Sequence, residues 1–102
     1  MQPPLDFEKI VNQKKYSVKT ATLIAHDGYW DGHNHERRGR NTFLYRAPGG
    51  AFFIVVLTQW VNELDELTPI TQAEALKMFE TVLAIHEVDY ADAFPTVIVQ
   101  DA

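Results

Sequence analysis

Cysteine is missing from all 102 residues. Its absence excludes a disulfide framework, a thiolate nucleophile, a cysteine zinc knuckle and an iron–sulfur cluster. Long apolar runs are missing as well. The longest, residues 51–57, covers seven positions, far below the ~20 that a membrane-spanning helix requires. The stretch MQPPLDFEKIVNQKKY is charged from Asp6 onward and lacks the apolar centre of a secretory signal. The resulting expectation is a cytoplasmic chain with no membrane span.

Positive charge is scarce in the second half. Residues 51–102 hold one cation, Lys77, against nine acids, a balance of −8. Residues 1–50 hold eight Lys/Arg against five acids, a balance of +3. The chain as a whole carries −5, a charge that repels nucleic acid and favours basic protein surfaces. Solvated acidic faces that keep a small protein soluble give the plainer account of the same numbers.

What is present fits one globular domain over residues 1–102. With 46% apolar and 12% aromatic side chains, a chain of this length supports a single hydrophobic core. Asp6 is placed to cap one or two helical turns over residues 5–11. Residues 16–25 are rich in β-branched types and read as the first strand, with a bulge near Thr20 and Ala21 where the alternation slips. A polar, glycine-bearing loop follows at about residues 26–41, long enough to suggest function. Residues 42–46 and 51–58 form a hairpin through Ala47-Pro48-Gly49-Gly50. The second of these strands is apolar on both phases, which predicts a central strand covered on both faces. Pro69 suits an edge strand.

Thr71-Gln72-Ala73-Glu74 is a capping box. Ala75, Met78, Phe79, Val82 and Leu83 continue it as an apolar stripe, predicting a helix from about Gln72 to Ala84 or Ile85. Pro95 stops a short turn over residues 89–94, and residues 96–99 have strand chemistry at a terminus prone to fray. The fold class expected is α+β. A small antiparallel meander of three to five strands carries one main helix, from the C-terminal half, on one face.

Three groups of residues carry a resemblance. They are Thr20-Ala21-x-x-Ile24-Ala25, Leu44-Tyr45-Arg46 with Gly50-x-Phe52-Phe53, and Pro69-Ile70-Thr71-x-x-Glu74-Ala75. Together they run from about Tyr16 to Phe94, and the pattern resembles a loosely defined group of small uncharacterised proteins of bacteria, phages and other mobile elements. The resemblance implies the strand–hairpin–capped-helix fold and brings no activity or site residues. Many phage-encoded proteins of this size and acidity look like stoichiometric inhibitors of host defence, such as anti-CRISPR proteins, an analogy of class only.

Four constellations bear chemistry. His33 and His35 alternate, so in an extended loop both imidazoles point one way, and His26 or Asp31 completes a three-ligand N/O set for a transition metal. A mobile polar loop accounts for the same residues. Arg37, Arg38 and Arg40, with Arg46 beyond them and Tyr29 and Trp30 nearby, are the mix that grips single-stranded nucleic acid. An acidic chain disfavours that use, and pairing with its own acids explains the arginines more simply. The glycine pair in Ala47-Pro48-Gly49-Gly50 lacks the length of a phosphate loop and reads as a turn. Last, Glu63, Asp65 and Glu66 with Glu87, Asp89 and Asp92 form either a solvated face or a docking surface for a basic partner. Exposed Tyr29, Trp30, Trp60 and Tyr90 would be its anchors.

No catalytic signature is found, and no cofactor is implied. The sequence favours a small non-enzymatic protein that binds another protein. Its sharper form is an acidic inhibitor of a nucleic-acid-binding defence complex, of the anti-CRISPR type. The site then comprises Tyr29, Trp30, Arg37, Arg38, Trp60, Asp65, Glu66, Asp89 and Asp92. The alternatives are a metal- or ligand-binding module built on His26, Asp31, His33 and His35, and a purely structural domain. Open sheet edges leave room for a homodimer.

Overall fold

A computed structural model describes residues 2–28, 40–60 and 62–102. The elements in chain order are β1 (Glu8–Val11), β2 (Lys14–Ser17), β3 (Thr22–His26), β4 (Arg40–Arg46), β5 (Phe52–Thr58), β6 (Glu66–Ile70), α1 (Gln72–Glu80), β7 (Ile85–His86) and α2 (Tyr90–Ala93). Five strands form one antiparallel sheet in the order β6-β5-β4-β3-β7, and β1 and β2 form a separate two-stranded sheet. The class is α+β, with a short meander from β3 to β6. The chain then leaves one sheet edge along α1 and returns at the other as β7.

Two apolar clusters cover the two faces of this sheet. On one, Phe43, Tyr45, Phe53, Val55 and Leu57 pack against Tyr16 and Val18, with Phe7 and Val11 of the hairpin segment at the margin. On the other, Leu44 and Phe52 pack against Ala75, Phe79, Leu83, Ala93 and Phe94. Strict alternation along β4 and β5 sends neighbouring side chains to opposite faces, which is why a strand apolar on both phases is buried on both. β5 is interior as its composition requires, although β4 holds the middle of the sheet. Pro69 lies on edge strand β6, where a missing amide costs no ladder bond.

The N-terminal segment departs from the expected helical turns. Residues 8–11 are extended and pair with 14–17, so the stretch read as one strand from Tyr16 to Ala25 is two strands. Between them the chain turns at residues 18–21, where the Ala21 amide donates to the Ser17 carbonyl at 3.1 Å. Asn12 and Gln13 make the β1–β2 connection at φ +51° and +67°, the pair of left-handed residues that a two-residue hairpin turn demands. Asparagine tolerates that region, but glutamine rarely marks it, and without a glycine the turn has no strong sequence signal.

The bulge also falls elsewhere, at the register shift between Leu23 and Ala25 instead of near Thr20. Its effect is visible in the packing. Ile24 and Ala25, adjacent in sequence, both lie in the helix-side cluster, while Leu23 packs against the other.

Helix α1 stops at Glu80, four or five residues short of the expected end. The amides of Thr81, Val82 and Leu83 all converge on the Met78 carbonyl, and the Thr81 hydroxyl donates to the Lys77 carbonyl at 2.6 Å. Leu83 is thereby buried without another helical turn, and Val82 is left 64% exposed. Phe94 then stacks on Phe52 at 5.2 Å and meets Phe79 edge-on at 5.4 Å, which fixes α2 to the sheet and to α1. Residues 96–99 form no strand, and Ile98 and Val99 are exposed.

The capping box forms as the sequence predicts. The Glu74 amide donates to the Thr71 hydroxyl at 3.2 Å, and the Glu74 carboxylate accepts from the Thr71 amide at 3.1 Å. That amide first, and the hydroxyl second, hold the Glu74 carboxyl below its ordinary range. A lowered folded-state value contributes stability above the ordinary carboxylate range and loses it as pH falls through the folded value. Thr71→Ala is therefore expected to cost about 1 kcal/mol at neutral pH. The gap to wild type should narrow on acidification, read by urea unfolding across pH 3–7.

Candidate functional site

The sheet end carrying the C-terminus of β3, the start of β4, the end of β5 and the start of β6 gathers the polar chemistry of the fold. Its first part is a neck formed by residues 26–28 and 40–42. His26 is 1% exposed and stacks on Phe43, its cross-strand partner, with ring centroids 5.6 Å apart. The Gly28 amide donates to its Nδ1 at 3.0 Å, and its Nε2 lies 2.8 Å from Glu87 Oε1. Nδ1 must accept, so the tautomer that satisfies both contacts carries the hydrogen on Nε2 and donates it to Glu87. One histidine thus joins β3, the neck and the residue after β7.

Asp27 and Asn41 close the neck from the other side. Asp27 Oδ1 accepts from the Thr42 amide at 3.1 Å and from Asn41 Nδ2 at 3.2 Å. Asn41 Nδ2 also donates to the Gly28 carbonyl at 2.5 Å. Asn41 is fully buried, and its Oδ1 has no hydrogen-bond partner among the described residues.

The second part is the corner between β5 and β6. Arg40 grips Glu63 through both Nε, at 3.2 Å, and Nη2, the fork geometry that suits a carboxylate. The Thr58 hydroxyl donates to Glu63 Oε2 at 2.9 Å and accepts from the Trp60 amide at 3.1 Å. The Thr58 amide donates to Asp65 Oδ1 at 2.8 Å, and the Glu63 amide to the Trp60 carbonyl at 3.1 Å. Trp60 and Leu64 are 47% and 86% exposed. Beside this bonded frame lies an open groove of about 330 Å³ lined by Arg40, Val56, Thr58, Glu63, Leu64 and Glu66.

The residues singled out from sequence are distributed as follows. Trp60, Asp65 and Glu66 come together at the corner. Asp89 and Asp92 are exposed, one the N-cap of α2 and the other on it, and Phe94, which ends that helix, packs on Phe52 at the opposite end of β5. The two acidic pairs therefore occupy separate parts of the surface. Tyr90 is half-buried against Phe79 and Phe94. Its hydroxyl donates to Glu80 at 2.6 Å, and this bond, more than burial, pushes its phenol above the ordinary value. Tyr29, Trp30, Asp31, His33, His35, Arg37 and Arg38 lie outside the described residues.

His26 has both ring nitrogens engaged, so metal binding there would first have to displace Gly28 or Glu87. Among the described residues no group of three His, Asp or Glu is spaced to hold a metal ion. No helix among them is long and apolar enough to cross a membrane. Sequence reading missed Asn41 and the pairing of His26 with Glu87 across 61 positions; it expected the arginines to pair with the chain's own acids, as Arg40 does, without naming Glu63. A buried asparagine in a polar stretch has no local signature, and neither does a pair made only by strand order.

Comparison with protein-family models, with curated proteins and with solved structures finds no match for this chain.

Proposed function

We propose that this chain is a non-enzymatic binding protein that docks on a basic protein surface. One observation carries the reading. The fold converts the charge asymmetry of the sequence into a difference between its two layers. The hairpin side bears exposed Lys9, Lys14, Lys15 and Lys19 against exposed Asp6 and Glu8. The side formed by α1 and α2, with the residue after β7, bears exposed Glu74, Glu80, Glu87, Asp89 and Asp92 against the single cation Lys77. Complementary fields of this kind raise association rates and select partners. Surfaces that ordinarily hold nucleic acid are basic partners of this kind, and the sharper form of the reading is an inhibitor of such a complex, of the anti-CRISPR type, by analogy of class only.

The test is affinity capture of the tagged protein from a nuclease-treated bacterial lysate. A stoichiometric basic partner, released by salt, is the expected result. Reversing Asp65, Glu66, Asp89 and Asp92 to lysine together should abolish its capture, and undiminished capture would sink the reading.

A further inference from the structure

We infer that the outer edge of β2 takes a strand from a second copy of this chain, supplied by residues 98–101 of that copy. The hairpin register decides which backbone groups are open. The Val18 amide donates to the Phe7 carbonyl at 3.1 Å. Bonded pairs alternate along an antiparallel ladder, so Lys9–Tyr16 and Val11–Lys14 are the other bonded pairs. The amides and carbonyls of Lys15 and Ser17 then point away from β1. The Ser17 carbonyl agrees, since it accepts from the Ala21 amide outside the hairpin at 3.1 Å. The Lys15 amide and carbonyl have no backbone partner among the described residues. A groove of about 360 Å³ lies here, between β2 and the β4–β5 turn, and Lys14, Lys15, Tyr16, Ala47, Pro48 and Ala51 border it. Three consecutive strand residues, whose side chains alternate between faces, border one groove only along the strand's edge.

The occupant follows from an unmet strand elsewhere in the chain. Thr96-Val97-Ile98-Val99 is β-branched throughout, a composition that suits strands, yet it pairs with nothing among the described residues. Val97 packs into the helix-side cluster, whereas Ile98 and Val99 are largely exposed. That cluster covers the sheet face away from the hairpin. A second copy reaches the β2 edge from outside, without the tail having to pass around its own sheet. Charge completes the match. Lys15 is paired with Glu8 at 2.9 Å, while exposed Lys14 has no ion-pair partner among the described residues and takes Asp101. Ile98 and Val99 cover the alanines and proline of the groove. In strand addition the ladder supplies affinity and such side-chain matches supply the choice of partner. The remaining edges suit this less well: β6 carries Pro69, which has no amide to donate, and β7 is two residues long.

The test dilutes the ¹⁵N-labelled full chain and follows its amide shifts. Concentration-dependent shifts at residues 14–16 together with residues 98–101 are expected. Ile98→Ser should weaken self-association about tenfold. Lys14→Glu and Asp101→Lys should each weaken it about threefold. Thermal midpoints in dilute solution should not move, since all three side chains are exposed. Lys14→Glu combined with Asp101→Lys should restore the wild-type affinity.

Shifts unchanged on dilution would overturn the second copy, and binding of an unrelated acidic β-branched peptide at residues 14–16 would then assign the edge to a foreign strand. Dilution shifts confined to α1 and α2 would place self-association on another surface and overturn the proposal equally. Contacts between Lys15 and residues 98–101 that persist at every dilution would make the chain's own tail the occupant. Failure of the double reversal to restore affinity would overturn the Lys14–Asp101 pairing and the choice of segment with it. Asp65, Glu66, Asp89 and Asp92 take no part in this contact, so its failure leaves the basic-partner reading standing.

Discussion

Phe53→Ala is expected to lower stability by about 3–5 kcal/mol, enough to unfold much of a domain this small. Phe53 is fully buried on β5. It stacks on Tyr45 at 5.1 Å and meets Tyr16 of the hairpin edge-on at 5.7 Å. Truncation removes an aromatic ring from the centre of the hairpin-side cluster. The cavity left cannot collapse, because its walls belong to a hydrogen-bonded sheet on one side and a paired hairpin on the other. Urea unfolding monitored by far-ultraviolet circular dichroism measures the loss, and Phe53→Leu should recover much of it. A loss for Phe53→Ala below 1 kcal/mol would mean that β1–β2 does not cover this face.

Asn41→Asp is expected to cost about as much, roughly 3–5 kcal/mol at neutral pH, by leaving an uncompensated buried charge. The amide that donates to both Asp27 and the Gly28 carbonyl becomes a carboxylate facing two acceptors. Desolvation and the like charge of Asp27 both raise the introduced group above the ordinary carboxylate value. The sign of its pH dependence is then set. A raised acid takes up a proton as pH falls through its folded value, restoring one donor, so the deficit shrinks between neutrality and pH 4. Asn41→Ala removes the donor without adding charge. It should cost about 1–3 kcal/mol with no such recovery, and parallel denaturation series at pH 7 and pH 4.5 separate the two. Equal, pH-independent losses would show that the neck tolerates charge and is open to water.

The neck also shows where sequence reading stops. Asp27 and Asn41 are ordinary loop-flanking residues until β3 and β4 pair, bringing positions 14 apart within hydrogen-bonding distance. The two acidic pairs are equally dependent on topology. Asp65-Glu66 and Asp89-x-x-Asp92 form one acidic set in composition, yet β6 and α2 carry them to different ends of the sheet. At the corner, Trp60 and Glu66 were recognisable as an aromatic and an acid. That they share one sheet end follows only from β6 pairing back on β5, which sets Glu66 opposite Val56.

Local chemistry alone determined the capped start of α1, the β4–β5 hairpin with its Pro-Gly-Gly turn, the edge position of Pro69 and the turn ending before Pro95. Each rests on a hydrogen bond or a dihedral preference satisfied within a few residues. Tertiary structure decided the rest. The N-terminal segment became a hairpin because the sheet face bearing Phe43, Tyr45 and Phe53 had to be covered. Helix α1 ended early because Leu83 is buried only if the chain turns there toward β7. The choice between those outcomes lies in apolar area buried between elements distant in the chain, a quantity that no short stretch of sequence contains.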